Sequence, residues 1–405
     1  MVKIAYICMP CLGGTYGMFL ALRRPLLDRG YDLRCIGIIN KTDVGTYIES
    51  NGDGCELWHV SSNTGVAVRQ TLAGLEQGLY SVAMSLPLGY PVESSLPLYL
   101  PLSIRLVVNV PGLTLTIYEI AEMMAGYADA VVCVSDRIKN TLISRKRISH
   151  SLLTTIHNGV DLKRFHQHDR ASSCESGLRL VYLGRLADIE KGVLLLPRIM
   201  KSVVKDCPSV TLDVYGSGPD QGRLASLISK MRLDGVIRLL GPIDNDKVPL
   251  VLSSYDCFML PSRTEAFSVV LLEAMASGCV PIASDIAGST DVVIEHGVSG
   301  FLVRVGDIAG FALTIKGIVG KREMLTAMAA AGRTRVEQRF SVDAQADRYA
   351  SLFHAVLRQA PRKASPLAID RFSLPKQLAR RWRSYLPVRI KQFLRMMYTR
   401  RGKPC

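Results

Sequence analysis

The strongest constraint in this chain lies between Tyr255 and Gly278. Tyr255 to Leu260 is a short apolar run that stops at Pro261-Ser262, and Val269 to Ala276 is an apolar helix-forming run closed by Gly278. The pattern predicts strand, loop, helix. Strand-like runs alternate with helical patterns along the whole chain, which predicts α/β architecture with parallel sheets. In such a sheet the loop after a strand lies at the carboxyl edge where ligands bind, and the following helix start presents unpaired N–H groups suited to phosphate. Glu265 falls in that loop and Glu273 on the helix, eight residues on. Carboxylates pair well with hydroxyls and badly with phosphate, so one of the two can meet a sugar and the other a ribose.

A second element runs from Leu180 to Leu186 and on to Lys191-Gly192. It reads as a buried strand that opens into a loop carrying two cations, Arg185 and Lys191. Taken alone, two such charges are most simply a solvated loop. Both elements together resemble the family 4 retaining glycosyltransferases, through the patterns E-x-F-G, E-A-M-A-x-G and G-R-L…K-G; Ser268 stands where the first pattern has Gly. The resemblance implies the GT-B fold, two Rossmann-like domains with a cleft between them. It implies that Glu265 contacts the donor sugar, that Glu273 binds the ribose, and that Phe267, Ser268 and Val269 line the same site. Arg185 and Lys191 then take the charge of the departing diphosphate, and fixed cations bind that transition state better than the ground state.

Weaker matches keep the family's order. Gly13 and Gly14 follow a first strand, Val2 to Cys8, as a phosphate-approach loop. Gly216 and Gly218 in Tyr215-Gly216-Ser217-Gly218-Pro219, and Gly241 after Leu240, are implied to line the nucleotide. Asn158-Gly159-Val160-Asp161 resembles the turn near the domain crossing. The family often has a His on the turn that here reads Arg105 to Gly112; Asn109 stands in that stretch, able to hydrogen-bond a hydroxyl and unable to act as an imidazole acid or base.

A chain of 405 residues, 48% hydrophobic, can bury two cores. The expected division is an N-terminal Rossmann-like domain, the expected acceptor side, over 1–167; a linker over 168–177; a nucleotide-sugar domain over 178–343; a helix crossing back over 344–360; and a basic amphipathic tail over 361–405. The ten cysteines are scattered, which suits a reducing cytoplasm. Cys8-Met9-Pro10-Cys11 has redox spacing without a thioredoxin-like context. A signal peptide is not expected, since Ile4 to Pro10 is too short an apolar run. The apolar stretch from Leu79 to Leu102 is broken by Pro87, Pro91, Pro97 and Pro101, so it reads as a Pro-rich surface loop and not a membrane span. Asp244-Asn245-Asp246 precedes a helical run and reads as an N-cap in preference to a divalent-metal site. No metal ligands are assigned.

The net charge of +15 is concentrated at the end: Pro361 to Cys405 holds 13 Lys and Arg against Asp370, giving +12 and leaving +3 elsewhere. Ile390, Phe393, Leu394, Met397 and Tyr398 recur at helical spacing among these cations. Such a segment suits an anionic membrane surface, or packs on the body; nucleic acid is not expected without a base-reading module. The expectation is therefore a retaining glycosyltransferase in the cytoplasm, peripheral at the inner face of the membrane. It would use a UDP-, GDP- or ADP-sugar as co-substrate with no tightly bound cofactor, and a saccharide or lipid-linked acceptor, in cell-surface polysaccharide or lipopolysaccharide synthesis. A nucleotide-sugar epimerase and a non-catalytic nucleotide-binding protein are the alternatives.

Overall fold

The computed structural model describes residues 1–10, 14–39, 54–165, 177–360 and 365–378. The chain divides into two units, Met1–Asn158 with Val342–Cys405, and Gly159–Ser341. In the first, β1 (Val2–Ile7), β2 (Tyr31–Ile39), β3 (Cys55–His59), β4 (Val82–Ser85), β5 (Arg105–Val110), β6 (Ala130–Cys133) and β7 (Leu153–Thr155) form a seven-stranded sheet in the order β3-β2-β1-β4-β5-β6-β7. Every neighbouring pair is parallel. The central strands read as unbroken apolar runs because both faces are covered. On one face Tyr6 and Phe19 share a core with Tyr349 and Phe353 of the helix Val342–Arg358, the segment expected to cross back at 344–360. Arg29 holds that helix through Asp347 at 2.6 Å and Asp343 at 3.5 Å.

The second unit repeats the scheme with six strands, β8 (Arg179–Leu183), β9 (Thr211–Tyr215), β10 (Ile237–Gly241), β11 (Cys257–Leu260), β12 (Val280–Asp285) and β13 (Phe301–Arg304). Their order is β10-β9-β8-β11-β12-β13, all parallel. Strand order reverses direction between β8 and β11. The loops leaving these two strands therefore diverge to opposite faces and open a crevice at the carboxyl edge, the place where sheets of this kind bind ligands.

Three expectations change. The boundary falls after Asn158 and not at 167, because Val160 bridges to Ser341 and donates its N–H to the Phe340 carbonyl at 2.9 Å. Of the 168–177 linker only Gly177 is described. The Pro-rich stretch is not a surface loop: Pro91–Ser95 is a helical turn begun by its proline, Leu96–Leu98 continues it, and Leu96, Leu98, Tyr99 and Leu100 are all buried. Part of its cover comes from the tail. Leu367 donates its N–H to the Leu98 carbonyl at 2.8 Å, the Phe372 ring lies 5.4 Å from the Tyr99 ring, and Asp370 pairs with Arg69 at 3.0 Å. Residues 365–378 thus act as a strap on the first unit, while the amphipathic pattern from Ile390 to Tyr398 lies outside the described residues.

Phe372 also rests on Gly65, where an added Cβ would come within 2.9 Å of its ring. Phe372→Ala and Gly65→Val should each weaken the first unit by about 1–2 kcal/mol, seen as a lower urea midpoint with unchanged slope. Unchanged midpoints in both variants would show that the strap contributes no stability.

Candidate functional site

The helix Val269–Ala276 begins and ends where its sequence predicts, with Gly278 in the left-handed conformation at φ +82°. Two loops face each other across the reversal in strand order. The loop after β8 forms a helical turn, Asp188–Lys191, whose last carbonyls are closed by Gly192 at φ +63°. The loop after β11 runs from Pro261 to Ser268. Backbone stitches join the loops: Arg263 and Thr264 donate their N–H groups to the Glu190 carbonyl at 2.8 and 3.2 Å. Gly192 is required twice, for its dihedral and because a Cβ there would run into the Pro261 carbonyl.

This stitching brings Lys191 and Glu265 together. Lys191 Nζ donates to both carboxylate oxygens, at 2.7 and 3.0 Å, and Ser262 Oγ donates to Glu265 Oε1 at 2.6 Å. Glu265 is 5% exposed, so it lies in a low-dielectric setting where the pair is held firmly. Arg185 lies on the same loop with its side chain 66% exposed, 4.0 Å from Glu190. Its backbone is fixed from below by Tyr182, whose hydroxyl donates to the Arg185 carbonyl at 2.9 Å. Burial, and then the Glu265 charge, push the Tyr182 phenol far upward, so it remains a donor at every working pH. The edge therefore carries one exposed cation, one cation held by a carboxylate, and an oriented carboxylate.

Glu273 is placed differently. Among the described residues its carboxylate has no side-chain hydrogen bond, and burial pushes its pKa up to about 7 against the lowering field of Arg164. Ser268 occupies the N-cap of its helix without a side-chain capping bond, and its hydroxyl is buried with no partner among the described residues. The first-turn N–H groups are thus left for another acceptor. Phe267 is buried and packs against Phe340 at 6.0 Å, which anchors the loop leading into the helix. Val269 opens the helix.

The glycines sit in different settings. Gly216, at φ +131°, leaves no room for a Cβ against the Gly184 carbonyl, and Gly218 is equally tight against Leu186. Contact between the loops after β8 and β9 is therefore enough to require glycine at both positions. Gly241 ends β10 and accepts the Gly216 N–H at 2.7 Å. In the first unit Gly14 begins the helix Gly14–Leu27, and Gly13 lies outside the described residues. Asn109 lies within β5, fully buried, its amide donating among the described residues to the Met18 sulfur at 3.6 Å. The Asp244 expectation is corrected: it precedes the turn Asn245–Lys247 but its side chain caps no N–H and pairs with Lys247 at 3.0 Å, while Asp246 turns toward Arg164 at 3.8 Å. A cation satisfies each carboxylate better than the weakly polar helix start. Sequence reasoning missed Ser262, Tyr182 and Arg164, none of which stands out by spacing.

A six-stranded parallel sheet of this order, with cation and carboxylate meeting at its reversal point, in a chain that carries a second parallel α/β unit, is the GT-B architecture. Solved structures share it: sucrose-phosphate synthase from Thermosynechococcus elongatus aligns with TM-score 0.73 at 18% identity, over 88% of this chain and 99% of that one. HepE from Anabaena in complex with UDP aligns with TM-score 0.71 at 17% identity, over 88% and 100%. Residues 177–320 match the family described as glycosyl transferases group 1. The chain is 27% identical over 271 residues to a glycogen synthase of Mycobacterium tuberculosis, a match covering 65% of this chain and 63% of that protein. To the N-acetyl-alpha-D-glucosaminyl L-malate synthase of Bacillus anthracis it is 23% identical over 389 residues, covering 88% and 98%.

The strained close approach at Gly192 gives a direct test. Gly192→Ala should part the two loops and lower stability by about 1–3 kcal/mol, read in a denaturant titration. A wild-type midpoint would show that the loops tolerate the side chain.

Glu273 gives a second. Its folded-state pKa, about 7, lies above the ordinary 4.5, so the folded protein holds this proton over a range where the unfolded chain has released it. Stability is unaffected below the lower value, falls as pH rises between the two, and is fully reduced above the higher one. Glu273→Gln should therefore match wild type near pH 4 and exceed it at pH 8 by on the order of 1–3 kcal/mol. A constant difference across that range would contradict the assignment.

Proposed function

We propose that the protein is a retaining glycosyltransferase that moves a sugar from a nucleotide-sugar donor to a saccharide or lipid-linked saccharide acceptor, in the assembly of cell-surface polysaccharide or lipopolysaccharide. The meeting of Lys191 and Glu265 at the reversal point of the second sheet carries this reading. The donor's diphosphate offers Lys191 a stronger anionic partner than Glu265, and the sugar hydroxyls offer Glu265 the donors it then lacks. As the glycosidic bond lengthens, negative charge grows on the departing diphosphate, where Lys191, Arg185 and the uncapped helix N–H groups stabilise it. Glu273 accepts from the ribose hydroxyls, trading a half-buried carboxylate without a side-chain partner for a bonded one.

That HepE has been solved with UDP-glucose supports a uridine nucleotide as the first donor to try. Among the described residues no helix is long and apolar enough to cross a membrane. The charge carried from Arg380 onward, beyond the strap, supports attachment to an anionic membrane surface.

Arg185→Ala and Lys191→Ala should each reduce kcat/KM for transfer about tenfold or more, the loss expected for a charged hydrogen bond. Glu273→Gln should weaken nucleotide and donor binding together, whereas Glu265→Gln should release Lys191, tighten the free nucleoside diphosphate and impair sugar transfer. Full activity in both cation variants, or equal loss of nucleotide affinity in both carboxylate variants, would contradict these roles. Release of an isomerised sugar with no acceptor present would favour epimerisation, and nucleotide binding without turnover a non-catalytic role.

A further inference from the structure

Asp188 opens the helical turn that ends in Lys191. Its carbonyl accepts the Gly192 N–H at 3.0 Å, and its Oδ1 accepts the Leu194 N–H at 3.0 Å. Lys191 and Gly192 are therefore enclosed by one residue, its main chain on one side and its carboxylate on the other. The Asp188 N–H donates to Asp220 Oδ2 at 2.8 Å, in the loop after β9. From the loop after β11, Arg263 Nε donates to the Asp188 carbonyl at 3.2 Å and Nη2 to Asp188 Oδ2 at 3.4 Å. Three loops of the carboxyl edge, those after β8, β9 and β11, meet at this residue.

We propose that Asp188 is a positioning residue for the diphosphate: its carboxylate fixes the turn that carries Lys191, so that the ammonium is presented beside Glu265 at the edge where the diphosphate arrives. The proposal rests on the reading of Lys191 as a cation for that group. The turn is four residues long, too short to hold its own shape, so contacts from outside it decide where Lys191 stands. Lys191 reaches Glu265 on a flexible four-carbon stem, and the place of its backbone sets which anions the ammonium can meet. Asp188 does not bind the phosphate itself, since its carboxylate is directed to the Leu194 N–H and the Arg263 guanidinium and carries the same sign of charge.

The test is calorimetric titration of the full chain with UDP, GDP and ADP, followed by the best of the three with Asp188→Ala, Asp188→Asn, Lys191→Met and the Asp188→Ala/Lys191→Met pair. Asp188→Ala should bind the diphosphate about tenfold more weakly, while the matching nucleoside, measured by competition, changes by less than about threefold. Asp188→Asn keeps the acceptor for Leu194 and should stay within about threefold of wild type. Once Lys191 is Met, Asp188→Ala should cause no further loss. Thermal unfolding reports whether each protein is folded. If Asp188→Ala is not, Arg263→Met tests the same link by removing the second partner of the carboxylate, with an expected loss of about threefold that vanishes on the Lys191→Met background. Equal losses for diphosphate and nucleoside, or a loss that persists without Lys191, would mean that Asp188 only packs the loops and would overturn the proposal, as would wild-type affinity in Asp188→Ala. Wild-type affinity in Lys191→Met would overturn the reading of Lys191, and the proposal with it. Failure of the wild-type chain to bind any of the three nucleotides overturns the nucleotide reading itself.

Discussion

The second unit depends on one ion pair. Lys191 and Glu265 come from loops that leave neighbouring strands toward opposite faces of the sheet, and their contact spans the crevice those loops open. The geometry is built from the backbone: Gly192 admits the approach, and the N–H groups of Arg263 and Thr264 fix its register on Glu190. A pair between an enclosed carboxylate and a partly exposed ammonium is costly to break without a replacement. A ligand carrying both an anionic diphosphate and neutral hydroxyls supplies a replacement for each partner at once. The pair thus favours ligands that carry both chemistries.

The two carboxylates show how environment divides the labour of identical side chains. Glu265 already has a cation and the Ser262 hydroxyl, so its oxygens are engaged before any ligand arrives. Glu273 has burial without a hydrogen bond, tempered by the field of Arg164, and its pKa is raised to about 7. A carboxylate in that state is stabilised by whatever donates to it. A ligand that donates hydrogen bonds to Glu273 would therefore couple its binding to ionisation there.

Local patterns revealed what is local. The helix Val269–Ala276 was legible to the residue because an unbroken apolar run ends at a glycine, and Glu265 and Lys191 were legible as neighbours of strand ends. What depends on distant parts of the chain was not. The stretch from Pro91 to Leu100 looks like a loop by its prolines, yet a proline begins its first turn and residues from 365 onward help cover it. The unit boundary after Asn158 has no local signal, since it follows from Val160 pairing with Ser341 far along the chain. Asp244 fits a capping position in sequence, but Lys247 three residues on satisfies its charge first. Arg164 carries no signal of its own, since its significance lies in a loop 81 residues away.

The most direct measurement is a double-mutant cycle on Lys191 and Glu265, read by the affinity of the free nucleoside diphosphate. If the nucleotide must take Lys191 from Glu265, Glu265→Gln will tighten binding in the wild-type background and leave it unchanged once Lys191 is Met, a coupling of about 1 kcal/mol or more. Additive effects of the two substitutions would mean that the diphosphate never contests the pair, and the account of this site would fail.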